Sequence, residues 1–317
     1  MTCIDIIKYG ERSKIALGGT AANVMSFLSM FKNFKVSILL PKNNNNFFAN
    51  EFKKRNIKVI EFRAKDINTP IIIENLTDNA HNFTSLCPHC KNNLKSIDLP
   101  GRKDANSIFI ETDYYNLFFY DRISLGIKKI AKKNIKGWNF YEPNSMENYK
   151  TFIDNARFSN IVKFSNDRIS ESNIKNMLFD LQISNVLIVI ITMGSEGLKY
   201  SIRVNGVLSE WIYIKPYKLD NITDASGAGD WLSTSFLFQL INRYPFCTDE
   251  ISGDMVFEFL DKSQRIAAES CQYIGAHGLL ETKKATDNIN NILNSNIYPL
   301  NVFSYTKIFC PFCGLEL

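Results

Sequence analysis

No stretch of this 317-residue chain is apolar for long enough to cross a bilayer. The opening residues, Met1-Thr2-Cys3-Ile4-Asp5, lack the basic and apolar zones of a secretory leader, so a cytoplasmic location is the expectation. No internal repeat is present, which argues against a solenoid or propeller. Basic residues outnumber acidic ones by five, but they are scattered, and no nucleic-acid-binding module is recognisable. The plain reading is a mildly basic cytosolic protein, whose modest positive field would also attract phosphorylated ligands. These absences argue against a membrane protein and a nucleic-acid binder, and they leave a globular protein. Apolar residues make up 45% of the chain, enough for a sizeable core.

The pattern that remains alternates strand and helix. Residues 1–9 are β-branched and alternate in polarity, which predicts a strand. A helical pattern over Val24–Phe31 follows, then a strand over Phe34–Leu40, a helix over Phe47–Arg55 and a strand over Ile57–Phe62. The asparagine run at 43–46 reads as an exposed loop. Two short strands are expected at Ile71–Glu74 and Phe83–Leu86, where the rhythm breaks. It resumes with strands at Ser107–Glu111, Trp138–Tyr141 and Ile161–Ser165, and a helix near Arg122–Lys133. Asn185–Thr192 is apolar throughout its middle, as a strand buried on both faces should be. Such alternation predicts a mostly parallel sheet with crossover helices.

The most informative stretch is Asp224-Ala225-Ser226-Gly227-Ala228-Gly229-Asp230, which runs into a helical pattern from Trp231 to Leu240. Gly227, Ala228 and Gly229 let backbone N–H groups converge where a helix begins, a place where negative charge is stabilised. Asp230 puts a carboxylate at the mouth of that turn. An anion hole beside a base is what phosphoryl transfer to a hydroxyl requires. The plain alternative is a tight turn with Asp230 capping a helix. About two hundred residues upstream, Gly18-Gly19-Thr20-Ala21-Ala22-Asn23 also leads into a helix. Its glycines permit close backbone approach, and Asn23 both donates and accepts hydrogen bonds.

Together these elements resemble the C-terminal D-T-x-G-A-G-D and N-terminal G-G-x-x-x-N signatures of the ribokinase-like (PfkB) small-molecule kinases. The resemblance covers roughly residues 1–280. It implies a three-layer α/β/α sandwich with a mostly parallel central sheet and a small β lid. The core would then comprise 1–69 and 101–295, the lid 70–100, and a C-terminal tail 296–317. It also implies an ATP-dependent kinase acting on a sugar-like hydroxyl, with Asp230 as base and Gly227–Gly229 as anion hole. Asp5, Gly18, Gly19 and Asn23 would bind the acceptor. Thr192, Gly194 and Gly197 resemble the T-x-G-x-x-G element beside the nucleotide phosphates, and Ser226 and Asn166 join them as nucleotide-binding candidates. Glu142-Pro143-Asn144 is a weaker match. ATP and Mg2+ are the implied partners, K+ a further one, and a homodimer through the lid an expected assembly. Asp224 is either an ordinary turn residue or part of the monovalent-cation site, where Ala225 replaces the usual threonine. In the N-x-x-E element that organises magnesium, Ser165 and Arg168 stand where Asn and Glu are usual, with Asn166 and Asp167 one residue out of step. His277, in Gly275-Ala276-His277-Gly278, is either a nucleotide contact or a surface residue. Two other readings stay open: a nucleoside kinase of the same family, and an inactive member serving as a binding module.

Four of the seven cysteines form Cys87-Pro88-His89-Cys90 and Cys310-Pro311-Phe312-Cys313. Each resembles a zinc knuckle, and four thiolates make a closed tetrahedral structural site. Cys87, Cys90, Cys310 and Cys313 sharing one Zn2+ is one reading. Redox-active pairs, or two knuckles completed by other chains, are the others. A reducing compartment disfavours disulfides. Cys3, Cys247 and Cys271 read as ordinary thiols.

Overall fold

The computed structural model describes residues 2–42, 47–63, 69–77, 80–94, 98–112, 116–143, 148–219, 221–299 and 307–317. The asparagine run at 43–46 and Asn144 lie outside them. Two compact units divide the chain. One comprises Met1–Asp98, Asn221–Thr234 and Glu269–Leu317, and the other Leu99–Asp220 and Ser235–Ala268.

The first unit opens with β1 (Cys3–Tyr9) and β2 (Arg12–Gly18), paired antiparallel so that Cys3 faces Gly18. Gly10 turns the hairpin with a left-handed φ of 57°, a conformation that favours glycine. Helix α1 (Thr20–Leu28) follows, then β3 (Ser37–Pro41), α2 (Phe47–Lys54) and β4 (Lys58–Phe62). Strands β3 and β4 pair in parallel as a separate two-stranded sheet. The strands expected at 71–74 and 83–86 appear as β5 (Ile71–Thr77) and β6 (Ala80–Thr84). They do not stand alone: β5 pairs in parallel with β1, giving a four-stranded sheet in the order β2-β1-β5-β6.

The second unit carries α3 (Asp104–Thr112), β7 (Leu117–Tyr120), α4 (Leu125–Lys133), β8 (Trp138–Tyr141), α5 (Tyr149–Ala156) and β9 (Ile161–Ser165). After these come α6 (Glu171–Leu181), β10 (Ile188–Thr192), β11 (Leu198–Val204), β12 (Val207–Leu208) and β13 (Ile212–Ile214). Strands β7 to β10 are parallel and in sequential order, joined by helices; β11 follows antiparallel, and β12 and β13 both pair antiparallel with it. Ile188, Val189, Ile190 and Ile191 are fully buried, which is why that segment reads as continuously apolar.

The strand expected at Ser107–Glu111 is instead part of helix α3, and the strand comes later, at Leu117–Tyr120. An apolar run of three residues does not distinguish the two states. The deciding signal is Asp104, which opens the helix and accepts the Gly101 N–H at 2.8 Å.

Helix α7 (Ala228–Arg243) begins at the glycine turn, and α8 (Gly253–Ser270) and α9 (Lys283–Leu293) follow. Trp231, Leu232, Phe236, Leu237 and Leu240 of α7 are buried, and so are Ser233, Thr234 and Ser235. In a helix buried on all sides the hydroxyls turn to the helix's own carbonyls where they can. Ser233 and Thr234 donate to the carbonyls of Gly229 and Asp230 at 3.1 and 2.8 Å, while the Ser235 hydroxyl has no partner among the described residues. Among the described residues no helix is long and apolar enough to cross a membrane.

Candidate active site

The face of β1 that carries Asp5 and Ile7 continues onto β5, because the register sets Asp5 beside Ile72 and Ile7 beside Glu74. Against this face lies the turn at Gly275, whose added Cβ would sit 2.7 Å from Ile7 Cδ1. The hairpin also explains Gly18: a Cβ there would fall 1.8 Å from Asp5 Oδ2. The Asp5 carboxylate occupies the space a side chain at 18 would take. The short interval between Asp5 and the Gly-Gly pair is therefore the length of a β-hairpin.

Asp230 stands in the first turn of α7 and is 9% exposed. Asn23, in α1 and buried, donates its amide to Asp230 Oδ2 at 2.6 Å. The Asn23 carbonyl oxygen lies 3.0 Å from His277 Nε2, and His277 Nδ1 lies 3.3 Å from Arg55 Nη1. Burial, with Arg55 and Lys14 nearby, pushes the His277 imidazole well below its usual range, so it is neutral at pH 7. Arginine only donates, so Nδ1 accepts from Arg55 and Nε2–H donates to Asn23. That relay fixes which end of the Asn23 amide faces Asp230. Phe27 stacks on Trp231 at 3.9 Å, and Trp231 donates its indole N–H to the Ala276 carbonyl at 2.9 Å. These contacts hold α1, the start of α7 and the 275–277 turn in one arrangement.

The Asp224 carboxylate fastens two turns. Oδ1 accepts the Ser226 N–H at 2.7 Å and Oδ2 the Gly275 N–H at 2.6 Å. Gly227 has a φ of 75°, and a Cβ on it would lie 2.4 Å from Ala276 Cβ, so the turn requires glycine on two grounds. The Ser226 hydroxyl donates to Glu74, which is 2% exposed. Burial is the main cause that raises the Asp5 carboxyl from 3.8 to about 7; the Cys3 thiol opposes it, and the charges of Glu74 and Asp230 add to it.

Asp5, Gly18, Gly19, Asn23, Asp224, Ser226, Gly227, Ala228, Gly229 and Asp230 thus all belong to the first unit, where hydrogen bonds and packing connect most of them. His277 is buried and bonded to Asn23, so it is not a surface residue. Glu74 and Arg55 were not anticipated. A lone glutamate ending the run Ile71-Ile72-Ile73 was the available signal for Glu74; Arg55 had none.

Of the candidates on the nucleotide side, Ser226 lies in the first unit, and Thr192, Gly194, Gly197 and Asn166 lie in the second. Thr192 ends β10, and its hydroxyl donates to the Phe164 carbonyl at 3.4 Å. Gly194–Glu196 forms a single 3-10 turn, with Gly194 and Gly197 at φ 55° and 95°. A Cβ on Gly197 would lie 2.3 Å from the Ile214 carbonyl oxygen. Asn166 opens a second such turn after β9. Arg168, at the position where the resemblance leads one to expect an acidic residue, donates to the Pro143 carbonyl at 2.7 Å. Lys163 and Glu142 form a buried ion pair.

No family model matches the chain, and no curated protein matches it in sequence. Solved structures do match. The ribokinase of Giardia lamblia superposes with a TM-score of 0.70 at 13% identity, over 92% of this chain and 96% of that one. Adenosine kinase from Schistosoma mansoni, in complex with 2-fluoroadenosine, gives 0.69 at 13% identity over 87% and 94%. Fructokinase from Vibrio cholerae, bound to fructose, ADP and calcium ion, gives 0.65 at 13% over 92% and 96%.

Proposed function

We propose that this chain, which has the ribokinase-like fold, is a kinase that transfers the γ-phosphoryl group of ATP to a hydroxyl of a sugar-like acceptor. The observation that carries this reading is the setting of Asp230. It is a buried carboxylate at the start of a helix, oriented by Asn23 and flanked by a turn that tolerates only glycine at 227. Asp230 accepts the proton of the acceptor hydroxyl as that oxygen attacks the phosphorus. The N-terminal end of α7, with Gly227, Ala228 and Gly229, offsets charge on the transferred group. Asp5 and Asn23 orient the acceptor through its other hydroxyls, and Gly18 and Gly19 allow it close to the backbone.

ATP and magnesium, when bound, supply the phosphoryl group and the charge that neutralises it. Thr192, Gly194, Gly197 and Asn166 are the residues assigned to hold the phosphates. The donor set for magnesium is poorer than in the motif it resembles, because Arg168 brings a positive charge where a carboxylate is usual. Asn166 and Asp167 are the oxygen donors remaining there. A monovalent cation such as K+ would bind against the two turns that Asp224 joins.

Phe83 favours a second reading. It pairs with Glu74 across β5 and β6, so it shares the face of Asp5 and Glu74, and it is 60% exposed. An aromatic on that face is a platform for a nucleobase, so the acceptor would be a nucleoside.

The test is ADP release from ATP and magnesium in K+-containing buffer across sugars, sugar phosphates and nucleosides, for wild type and Asp230→Asn. Acceptor-dependent release that the substitution abolishes supports the kinase, and the acceptor that works chooses between the two readings. No release with any acceptor while ATP binds leaves a non-catalytic binding module as the better account.

A further inference from the structure

The two Cys-Pro-x-Cys segments fold as near copies of each other. In the first, the Cys87 N–H donates to the Asn92 carbonyl at 3.0 Å and the Lys91 N–H to the Cys87 carbonyl at 3.1 Å. In the second, the Cys310 N–H donates to the Leu315 carbonyl at 2.8 Å and the Gly314 N–H to the Cys310 carbonyl at 3.0 Å. In each, the residue after the second cysteine is left-handed, Lys91 at φ 61° and Gly314 at φ 71°. A bridge closes each loop, Leu86 with Asn93 and Phe309 with Glu316. Lysine gains nothing from that backbone conformation by itself. Its cost is offset if the turn must aim two thiolates at one point.

Both turns aim at the same point. The four Sγ atoms lie within 4.8 Å of one another, although the two pairs are more than two hundred residues apart in sequence. Cys87 Sγ is 3.9 Å from Cys313 Sγ, and Cys90 Sγ is 3.8 Å from Cys310 Sγ. A tetrahedral zinc with Zn–S bonds of about 2.3 Å sets its sulfurs about 3.8 Å apart. A disulfide would need about 2.05 Å. Amide N–H groups also point at the sulfurs, that of Phe312 at Cys310 Sγ at 3.4 Å, as they do around a thiolate carrying negative charge. His89 does not compete as a ligand, because its Nε2 lies 3.0 Å from the Glu316 carbonyl oxygen and ties one knuckle to the other.

We infer that Cys87, Cys90, Cys310 and Cys313 bind one Zn2+ as a closed, structural tetrathiolate site within a single chain. The site fastens the C-terminal segment to the four-stranded sheet. The first knuckle is itself joined to that sheet, since the Leu94 N–H donates to the Ser85 carbonyl at 2.6 Å and the Ile71 N–H to the Leu94 carbonyl at 3.1 Å. Four protein ligands leave no open position, so the metal does no chemistry. This inference does not rest on the kinase reading, and its test needs no acceptor.

The full chain, purified without a polyhistidine tag under reducing conditions, is assayed for metal by mass spectrometry alongside its molar mass in solution. One equivalent of zinc per chain is expected. Cys87→Ser and Cys310→Ser should each lose it, while Cys247→Ser, a thiol outside the cluster, should keep it. Chelation should lower the melting temperature by several degrees, and zinc but not magnesium should restore it. A zinc-free wild-type chain overturns the inference, as do two disulfides, the visible absorption of an iron–thiolate centre, or zinc found only where two chains share it. Where a cysteine variant fails to fold, the metal content of the wild type still decides.

Discussion

The two units treat their motifs differently. In the first, the residues that match the acceptor and base signatures are bound to one another. Asp230 is held by Asn23, Asn23 by His277, Asp224 by two amides, and Gly18 is shaped around Asp5. In the second, the strands and the glycine turn are present, but the position expected to help organise magnesium holds Arg168, whose guanidinium is spent on the Pro143 carbonyl. The difference teaches where constraint lies. The role proposed for Asp230 needs placement to within a fraction of an ångström, and its supports are buried and specific. A phosphate site built largely from backbone at strand ends depends more on the course of the chain than on side-chain identity.

The sharpest way to break the comparison is Asp230→Asn. It keeps the shape and removes the proposed base, and the expected loss in kcat/KM is about 10²- to 10⁴-fold with little change in melting temperature. If kcat/KM is unchanged, the first unit has no claim to be the more constrained. Next is Gly18→Ala, whose methyl would collide with the Asp5 carboxylate. Moving Asp5 should raise acceptor KM at least tenfold and cost about 1–3 kcal/mol of stability, read by steady-state kinetics and chemical denaturation.

A pair of pH experiments sharpens the same contrast. The Asp5 carboxyl is raised from 3.8 to about 7. Between those values the native chain holds a proton that the unfolded chain has released, so stability falls as pH rises through that window and levels off above it. Asp5→Asn should therefore gain stability over wild type as pH rises from about 4 to about 7, while its acceptor binding weakens. His277 has the opposite sign. Its folded value is well below 6.5, so the unfolded chain takes up a proton first and stability falls as pH drops below 6.5. His277→Gln should remove that part of the acid loss. Thermal melts of both variants from pH 4 to 8 check the two slopes. The smallest effect is expected in the second unit: Arg168→Ala loses one hydrogen bond to a carbonyl, about 1–2 kcal/mol of stability, and leaves acceptor KM unchanged.

Much of this was legible in the chain itself. The glycine turn running into an apolar helix announced α7 and the position of Asp230, because φ freedom and helical periodicity are local properties. The run Ile188–Ile191 announced a doubly buried strand for the same reason. Strand β2 and helix α3 were not legible. Arg12–Gly18 gains its strand character from pairing with β1, and Ser107–Glu111 has the composition of a strand but begins after a helix-starting aspartate. Glu74 looked like the polar end of a short strand until the parallel register with β1 carried it to the face of Asp5.

Sequence alone determined what is local: the turns, the apolar segments, and the thiol pairs whose two-residue spacing shapes a knuckle. Tertiary structure decided what depends on contacts distant in the chain. It set Asn23 against Asp230, made His277 a buried support rather than a surface residue, and brought the two cysteine pairs to one point. The physical reason is that a hydrogen bond or a thiolate pair specifies its partner's chemistry and distance, while only the packed core determines which part of the chain supplies that partner.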